Sequence, residues 1–271
     1  MEPNQDAKIV KGIMFVGCSF TWGQGLYYYS NMPTLKEPLP DHYDSMLVSE
    51  PHMEFMKTLR YPRLVASHFN TFELVAPENG GSNASAIAWA NKWDGEKNRK
   101  FIELDEVSTI VFQLTQWHRN NFKFTHDDQE YDTAFWNATQ DPYKEHFMKY
   151  LAEQNITLDD WIDQYIRNNL NEVKEFLQNA ESQGIKTVVF TWPEDYMPYL
   201  RTDNWFMERL ASFDHKGKNY TSVEALMRSN PEMEIKHDTS NFQVTPKDHH
   251  PSKSCHRVMA DAVIKKLGNN V

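Results

Sequence analysis

Cysteine is scarce in this sequence, since Cys18 and Cys255 are the only two among 271 residues. Two thiols are too few for a disulfide framework, and neither belongs to the repeated Cys/His spacing of a zinc site. The 11 histidines form no His-Glu-x-x-His motif of the kind that holds a catalytic metal. The sequence therefore predicts a protein that works without a metal or other cofactor.

Positive charge is also in short supply, with 28 Lys and Arg against 38 Asp and Glu and a net charge of −10. Because non-specific binding of nucleic acid depends on clustered Lys and Arg, we expect no nucleic-acid partner. No apolar run approaches the roughly 18 residues of a membrane span. The N-terminus, Met-Glu-Pro-Asn-Gln-Asp, lacks the basic and apolar regions of a secretory signal. We expect a cytoplasmic protein, and the oligomeric state stays open.

Apolar residues are numerous enough for a large core, at 40% hydrophobic and 13% aromatic. Short β-branched runs alternate with longer helix-like segments, which predicts a parallel sheet covered by helices on both faces. The expected fold class is α/β, a three-layer α/β/α sandwich of flavodoxin-like type, in a single domain over 1–271. Predicted strands cover 9–16, 71–76, 107–115 and 187–192. Predicted helices cover 53–69, 82–97, 158–183 and 252–267.

Two segments interrupt this alternation. Residues 27–50 are rich in Pro, Tyr and Ser and are expected to form a long surface loop. Residues 118–155 are polar but rich in aromatics, and their structure is not clear from the pattern. Long segments of this kind inside a compact domain are often functional. We therefore expect 118–155 to be an insertion or lid that helps to form a substrate site.

Ser19 stands directly after the first predicted strand. In an α/β sheet the ligand site lies beyond the carboxyl ends of the strands. The nearby glycines at 17, 23 and 25 fit neither a phosphate loop nor a dinucleotide fingerprint. A serine at a strand-to-helix junction can present its hydroxyl to a carbonyl carbon, or it can simply cap the helix.

Asp248 and His250, near the C-terminus, favour the first interpretation of Ser19. A hydrolytic serine needs an imidazole to take its proton and a carboxylate to orient that imidazole. Taken alone, an Asp-His-His cluster on a loop is more often a set of exposed polar residues than a catalytic site. Together with a serine at a strand end, it predicts a catalytic triad.

These two motifs, Gly-Cys-Ser-Phe-Thr-Trp-Gly at 17–23 and Asp-His-His-Pro-Ser at 248–252, resemble those of the SGNH/GDSL hydrolase family. The resemblance implies that Ser19 is the nucleophile, His250 the base and Asp248 the residue that orients it. It also implies an oxyanion hole formed by the N–H groups of Ser19 and Gly81.

Three departures from the family pattern are visible. Cys18 replaces the usual Asp before the serine, and the Asp-x-His spacing is one residue shorter than usual. The family's third motif, Gly-x-Asn-Asp, is matched here only by Leu-Thr-Gln-Trp at 114–117. Gln116 is then the expected side-chain donor of the oxyanion hole, with Thr115 and Trp117 as alternatives if the strand register differs.

Other side chains near the strand ends are candidates for the substrate site. Trp22, Trp117 and Trp192 are expected to line a pocket with Asn83, or else to pack beneath the loops as core. Cys18 is an alternative nucleophile, but it should point away from a substrate that Ser19 reaches.

The resulting function prediction is a serine esterase or acylhydrolase. Its substrate would be an O-acetyl or short acyl ester, either a small molecule or a carbohydrate. Two alternatives remain at the level of sequence. One is a degenerate domain that binds a carbohydrate or protein partner without turnover, and the other is an acyltransferase.

Overall fold

The structure is a computed structural model that describes residues 11–30, 50–75, 81–91, 106–238 and 249–268. Several predicted features lie outside these residues: the first two residues of the first strand, most of the 27–50 loop, the end of the second helix and Asp248. None of the helices in the described part of the chain is long and apolar enough to cross a membrane.

The strands and helices alternate as expected along most of the chain. The strands are β1 Gly12–Val16, β2 Glu73–Val75, β3 Val107–Leu114, β4 Asn121–His126, β5 Gln129–Ala134, β6 Lys186–Thr191, β7 Phe213–His215 and β8 Lys218–Tyr220. The α-helices are α1 Ser19–Trp22, α2 Glu50–Leu59, α3 Tyr61–His68, α4 Asn83–Asn91, α5 Phe135–Ala138, α6 Lys144–Glu153, α7 Leu158–Ser182, α8 Met197–Leu200, α9 Asn204–Arg209, α10 Val223–Ser229 and α11 Lys253–Leu267.

The central sheet has four strands in the order β2-β1-β3-β6, all paired in parallel. Its strands alternate side chains between two cores: Met14 and Val16 face the core that contains α4 and α7, whereas Ile13 and Phe15 face the core that contains α3 and α11. A parallel sheet buried on both faces is the α/β fold that the sequence predicts. The predicted fold class is therefore confirmed.

The predicted helix over 53–69 is wrong as a single element. The structure has α2 and α3 instead, separated at Arg60, which is extended at φ −70° and ψ 147° and forms the N-cap of α3. Pro62 lies in the first turn of α3, where its missing N–H has no intrahelical acceptor to lose. The apolar periodicity continues across this break, so the pattern alone predicts one continuous helix.

The insertion over 118–155 has regular structure of its own. Strands β4 and β5 form an antiparallel hairpin, followed by α5 and α6. The members of its apolar cluster are aromatic or aliphatic side chains from the hairpin, α5 and α6, namely Phe124, Tyr131, Ala138, Phe147 and Leu151. The hairpin was not predicted because its turn is Asp127-Asp128, with φ 51° and 59°, rather than the Asn-Gly pair that usually signals such a turn.

The turn of this hairpin offers a test of its backbone conformation. Asp128→Gly should stabilise the protein by about 0.5–1 kcal/mol, because glycine adopts a positive φ without steric cost. Asp132→Gly, the same change at an exposed extended position of β5, should instead destabilise it by roughly the same amount. Thermal unfolding of the two variants measures the difference. Equal shifts in Tm would contradict the turn conformation.

Candidate active site

A tight turn after β1 places Ser19 at the start of α1. Gly17 makes this turn possible, since a Cβ there would lie 2.8 Å from the Cβ of Gln113 and even closer to the Thr21 hydroxyl. Cys18 occupies the N-cap position and makes no side-chain capping bond. Ser19 is thus the first residue of the helix rather than its cap, and its hydroxyl is left for other contacts.

The hydroxyl of Ser19 contacts the imidazole of His250. The Ser19 Oγ and the His250 Nε2 are 3.0 Å apart, which is hydrogen-bonding distance. Ser19 is only 4% exposed, whereas His250 is half-buried. Of the predicted triad, the structure thus brings together the two residues that are 231 positions apart in sequence. Asp248 lies outside the described residues, so its orienting role stays a prediction.

The loop that carries His250 is fixed by backbone hydrogen bonds. The N–H of Ile235 donates to the His250 carbonyl at 2.9 Å, and the N–H of Ser252 donates to the Met233 carbonyl at 2.7 Å. Ser252 then caps α11 by accepting a hydrogen bond from the N–H of Cys255 at 3.3 Å. These contacts fix the backbone at His250 itself and at Ser252, two positions later.

The ring of Phe20, the residue after Ser19, packs against the same imidazole. Its ring meets His250 edge-on, with 5.2 Å between centroids, and meets Trp192 edge-on at 4.1 Å. Such edge-to-face contacts restrict the ring orientation of all three partners. Trp192 is partly buried, so Phe20 and Trp192 form an apolar wall beside the Ser19–His250 pair.

The neighbouring His249 has a different environment. It is exposed, and its Nδ1 lies 2.7 Å from the Glu234 carboxylate and 2.8 Å from the Lys236 ammonium. The adjacent histidines therefore face different partners, and only His250 reaches the serine among the contacts that the structure describes.

The candidate oxyanion donors occupy the expected end of the sheet, but their roles stay predictions. Gly81 lies in the loop two positions before α4. The Gln116 side-chain oxygen accepts a hydrogen bond from the Arg119 Nε at 3.1 Å. This contact uses the oxygen of the amide and leaves its N–H donors for another acceptor.

Asn83 and two of the candidate tryptophans are held within the protein. Asn83 is 1% exposed; its oxygen accepts from the Thr115 N–H and its nitrogen donates to the Tyr196 hydroxyl, each at 2.9 Å. Trp22 and Trp117 are 8% and 9% exposed and belong to apolar clusters. The structure therefore gives these side chains packing roles, and their contact with substrate stays a prediction.

Cys18 points away from the Ser19–His250 contact. Its sulfur accepts a hydrogen bond from the Gln113 side-chain nitrogen at 3.4 Å, and the residue is 2% exposed. This orientation agrees with the alternation of side chains in extended backbone and does not favour the thiol as nucleophile.

A buried polar cluster beneath Ser19 was not found from the sequence. The Thr21 hydroxyl donates to the Gln113 side-chain oxygen and lies 3.0 Å from the Tyr61 hydroxyl. The Tyr61 N–H donates to the His256 Nδ1 at 3.2 Å. The available signal was Gln113, a polar residue that follows the apolar residues 110–112 in β3.

His256 is electrically neutral in this environment. It is fully buried, and burial, with smaller effects from His250 and Arg60, lowers its pKa from an ordinary 6.5 to about 3. Burial likewise raises the pKa of Tyr61. The cluster beneath Ser19 thus consists of neutral groups.

Another histidine is close to two carboxylates in the insertion. His126 is 3% exposed in its side chain, with its Nε2 3.2 Å from Asp127 and its Nδ1 3.0 Å from Glu153. One ligand atom from each of the three side chains lies within 4.8 Å of the other two. The group joins the hairpin tip to the end of α6.

Solved structures of other proteins are similar to this chain, two of them over most of its length. No family model matches the chain, and no curated protein matches it. A lipolytic protein of G-D-S-L family from Desulfitobacterium hafniense DCB-2 aligns over 95% of this chain and 99% of its own, with 9% identity and a TM-score of 0.39. A carbohydrate esterase, whose active site is described as having divergent catalytic and non-catalytic binding functions, aligns over 96% and 65%, with 14% identity and a TM-score of 0.41.

The buried neutral His256 leads to a prediction about stability and pH. Between pH 6.5 and about 3 the unfolded state binds a proton that folded His256 does not, so stability should fall as the pH falls. His256→Asn keeps an acceptor for the Tyr61 N–H but cannot titrate. Its free energy of unfolding should therefore depend less steeply on pH in this window, by up to about 1.4 kcal/mol per pH unit. Denaturant unfolding at several pH values measures this slope.

The matched control is His249→Asn, which removes an exposed histidine. Its slope should stay close to that of the wild type. If His256→Asn and the wild type show the same slope, His256 is not held neutral in the folded protein.

Proposed function

We propose that this protein is a serine hydrolase that cleaves an ester through an acyl-enzyme. The observation that carries the proposal is the 3.0 Å contact between the Ser19 Oγ and the His250 Nε2 at the carboxyl end of the sheet. A general base must lie within hydrogen-bonding reach of the proton that it removes. The resemblance of both motifs to SGNH/GDSL hydrolases supports the same assignment.

In the proposed reaction, His250 removes the hydroxyl proton of Ser19 as the oxygen attacks the ester carbonyl. Asp248 would keep the imidazole in the tautomer whose Nε2 accepts that proton and would stabilise the imidazolium that forms. Collapse of the tetrahedral intermediate transfers the proton from His250 to the leaving alcohol. The same imidazole then activates a water molecule that releases the acid and frees Ser19.

The negative oxygen of the tetrahedral intermediate needs hydrogen-bond donors that are already in place. The N–H of Ser19 is suited to this, because the first residues of a helix have no intrahelical acceptor for their N–H groups. The N–H of Gly81 and the side-chain amide of Gln116 are the further donors that we propose. The Arg119 contact at the oxygen of Gln116 would orient that amide.

The apolar wall beside the serine suits the acyl part of a small ester. Phe20 lies against His250 and Trp192 lies against Phe20, so an acetyl or short acyl group beside them would be shielded from water. The alcohol part is proposed to be a small molecule or a carbohydrate.

Labelling of Ser19 tests the proposal. Wild-type protein should react with a fluorophosphonate probe and hydrolyse 4-nitrophenyl acetate. Ser19→Ala should lose both reactions while its Tm changes little, because the substitution removes one hydroxyl from a turn and creates no large cavity. Mass spectrometry of the labelled peptide identifies the modified residue. Labelling that persists in Ser19→Ala would exclude Ser19 as the nucleophile.

The two adjacent histidines provide a matched pair of variants. His250→Ala should lower turnover by roughly 10³-fold or more, as expected for loss of a triad base. His249→Ala should have a much smaller effect, since its ring faces Glu234 and Lys236. Steady-state kinetics on one ester compares them. Equal losses would mean that the base has been assigned to the wrong ring.

A further inference from the structure

The polar cluster beneath Ser19 connects four separate parts of the fold. Gln113 lies on β3, Thr21 on α1, Tyr61 at the start of α3 and His256 on α11. All four are at most 1% exposed. Buried polar groups are costly unless they are hydrogen-bonded, and the side chains of Gln113, Thr21 and Tyr61 and the Nδ1 of His256 have partners within this cluster.

The hydrogen bonds within the cluster have a defined direction. The single hydroxyl proton of Thr21 goes to the Gln113 side-chain oxygen, so the Tyr61 hydroxyl must donate to the Thr21 oxygen over their 3.0 Å contact. The nitrogen of the same Gln113 amide donates to the Cys18 sulfur. Gln113 thus contacts residues on both sides of Ser19.

The other end of the cluster reaches the element that carries the base. The Tyr61 N–H donates to the His256 Nδ1, and the His256 N–H donates to the Ser252 carbonyl at 2.9 Å. Ser252 is the N-cap of α11 and lies two positions after His250. The cluster is therefore a continuous connection from the helix of the nucleophile to the loop of the base.

Apolar packing alone would not fix the orientation of so short a helix. The helix α1 has four residues, so a small rotation about its axis would move the Ser19 hydroxyl away from His250. Directional hydrogen bonds to Thr21, one half-turn further along, oppose that rotation. The absence of a Cβ at Gly17 permits the close approach of Thr21 and Gln113.

We propose that Gln113, Thr21, Tyr61 and His256 are positioning residues that set the distance between the Ser19 hydroxyl and the His250 imidazole. The catalytic part of this inference rests on the proposed function, but the distance itself does not. The residue that matters most is Thr21, because its hydroxyl makes hydrogen bonds to both Gln113 and Tyr61. Gln113 acts beneath Ser19, whereas Gln116, the proposed oxyanion donor, lies in the segment after β3.

Two substitutions at Thr21 test the proposal. Thr21→Val keeps the shape but removes the hydroxyl, and should slow fluorophosphonate labelling of Ser19 by roughly tenfold to a hundredfold, as a misplaced reacting group does. The kcat for 4-nitrophenyl acetate should fall with little change in KM. Thr21→Ser restores the hydroxyl and should recover labelling to within about threefold of the wild type. If the Thr21 hydroxyl contributed only to stability, its removal would not lower kcat at an unchanged KM, and Thr21→Ser would not restore the labelling rate.

The matched control is Thr109→Val. Thr109 lies near the start of β3, whereas Gln113 lies near its end. Thr109 is equally buried, so the same chemical change there should leave labelling at the wild-type rate. If Thr21→Val does not fold, Tyr61→Phe removes only the donor to Thr21 and replaces it in every comparison. Wild-type labelling rates in the Thr21→Val variant, or an equal loss in Thr109→Val, would overturn the proposal.

A crystal structure of Thr21→Val separates this inference from the proposed function. The Ser19 Oγ to His250 Nε2 distance should open beyond about 3.5 Å, the limit of a hydrogen bond. This result supports the positioning role even if wild-type protein is not labelled, in which case only the proposed hydrolase activity fails. An unchanged distance would refute the positioning role whatever the activity.

Discussion

The parallel pairing of β1 with β3 is the interaction on which the candidate site depends. It runs from Gly12 to Val16 on β1 and aligns Val16 with Phe112 on β3. Because the strands end at the same edge of the sheet, the turn that carries Ser19 emerges beside Gln113 and the residues that follow it. His250 then reaches Ser19 from the far end of the sequence, on the loop before α11.

The sequence predicted the four strands of the central sheet and the helices α4, α7 and α11, because these elements have strong and regular apolar patterns. The long helix α7 begins at the predicted residue and ends one residue before the predicted end. The break between α2 and α3 could not be found in this way, since the apolar pattern continues across Arg60. The hairpin of the insertion was missed because its turn relies on two aspartates in a left-handed conformation, which composition does not signal.

The residues of the candidate site that belong to short sequence motifs were predicted. Those that are brought together only by packing between distant parts of the chain were missed. Ser19 and His250 were identified from short motifs, and they lie in contact in the structure. The importance of Gln113, Tyr61 and His256 follows from contacts between residues far apart in the chain. No local pattern encodes such contacts, so a single sequence gives little access to them.

The insertion has an apolar cluster of its own, and the contacts of this cluster determine how a substitution there affects the rest of the molecule. Phe135 is one of its connections to the rest, since the ring packs against both the insertion cluster and Trp117, with 4.7 Å between the ring centroids. Trp161 of α7 is another, because its ring packs against Phe135 and Phe147. A substitution within the insertion is therefore transmitted to the loop that follows β3 and to α7, whereas Ser19 and His250 lie outside this cluster and keep their own contact.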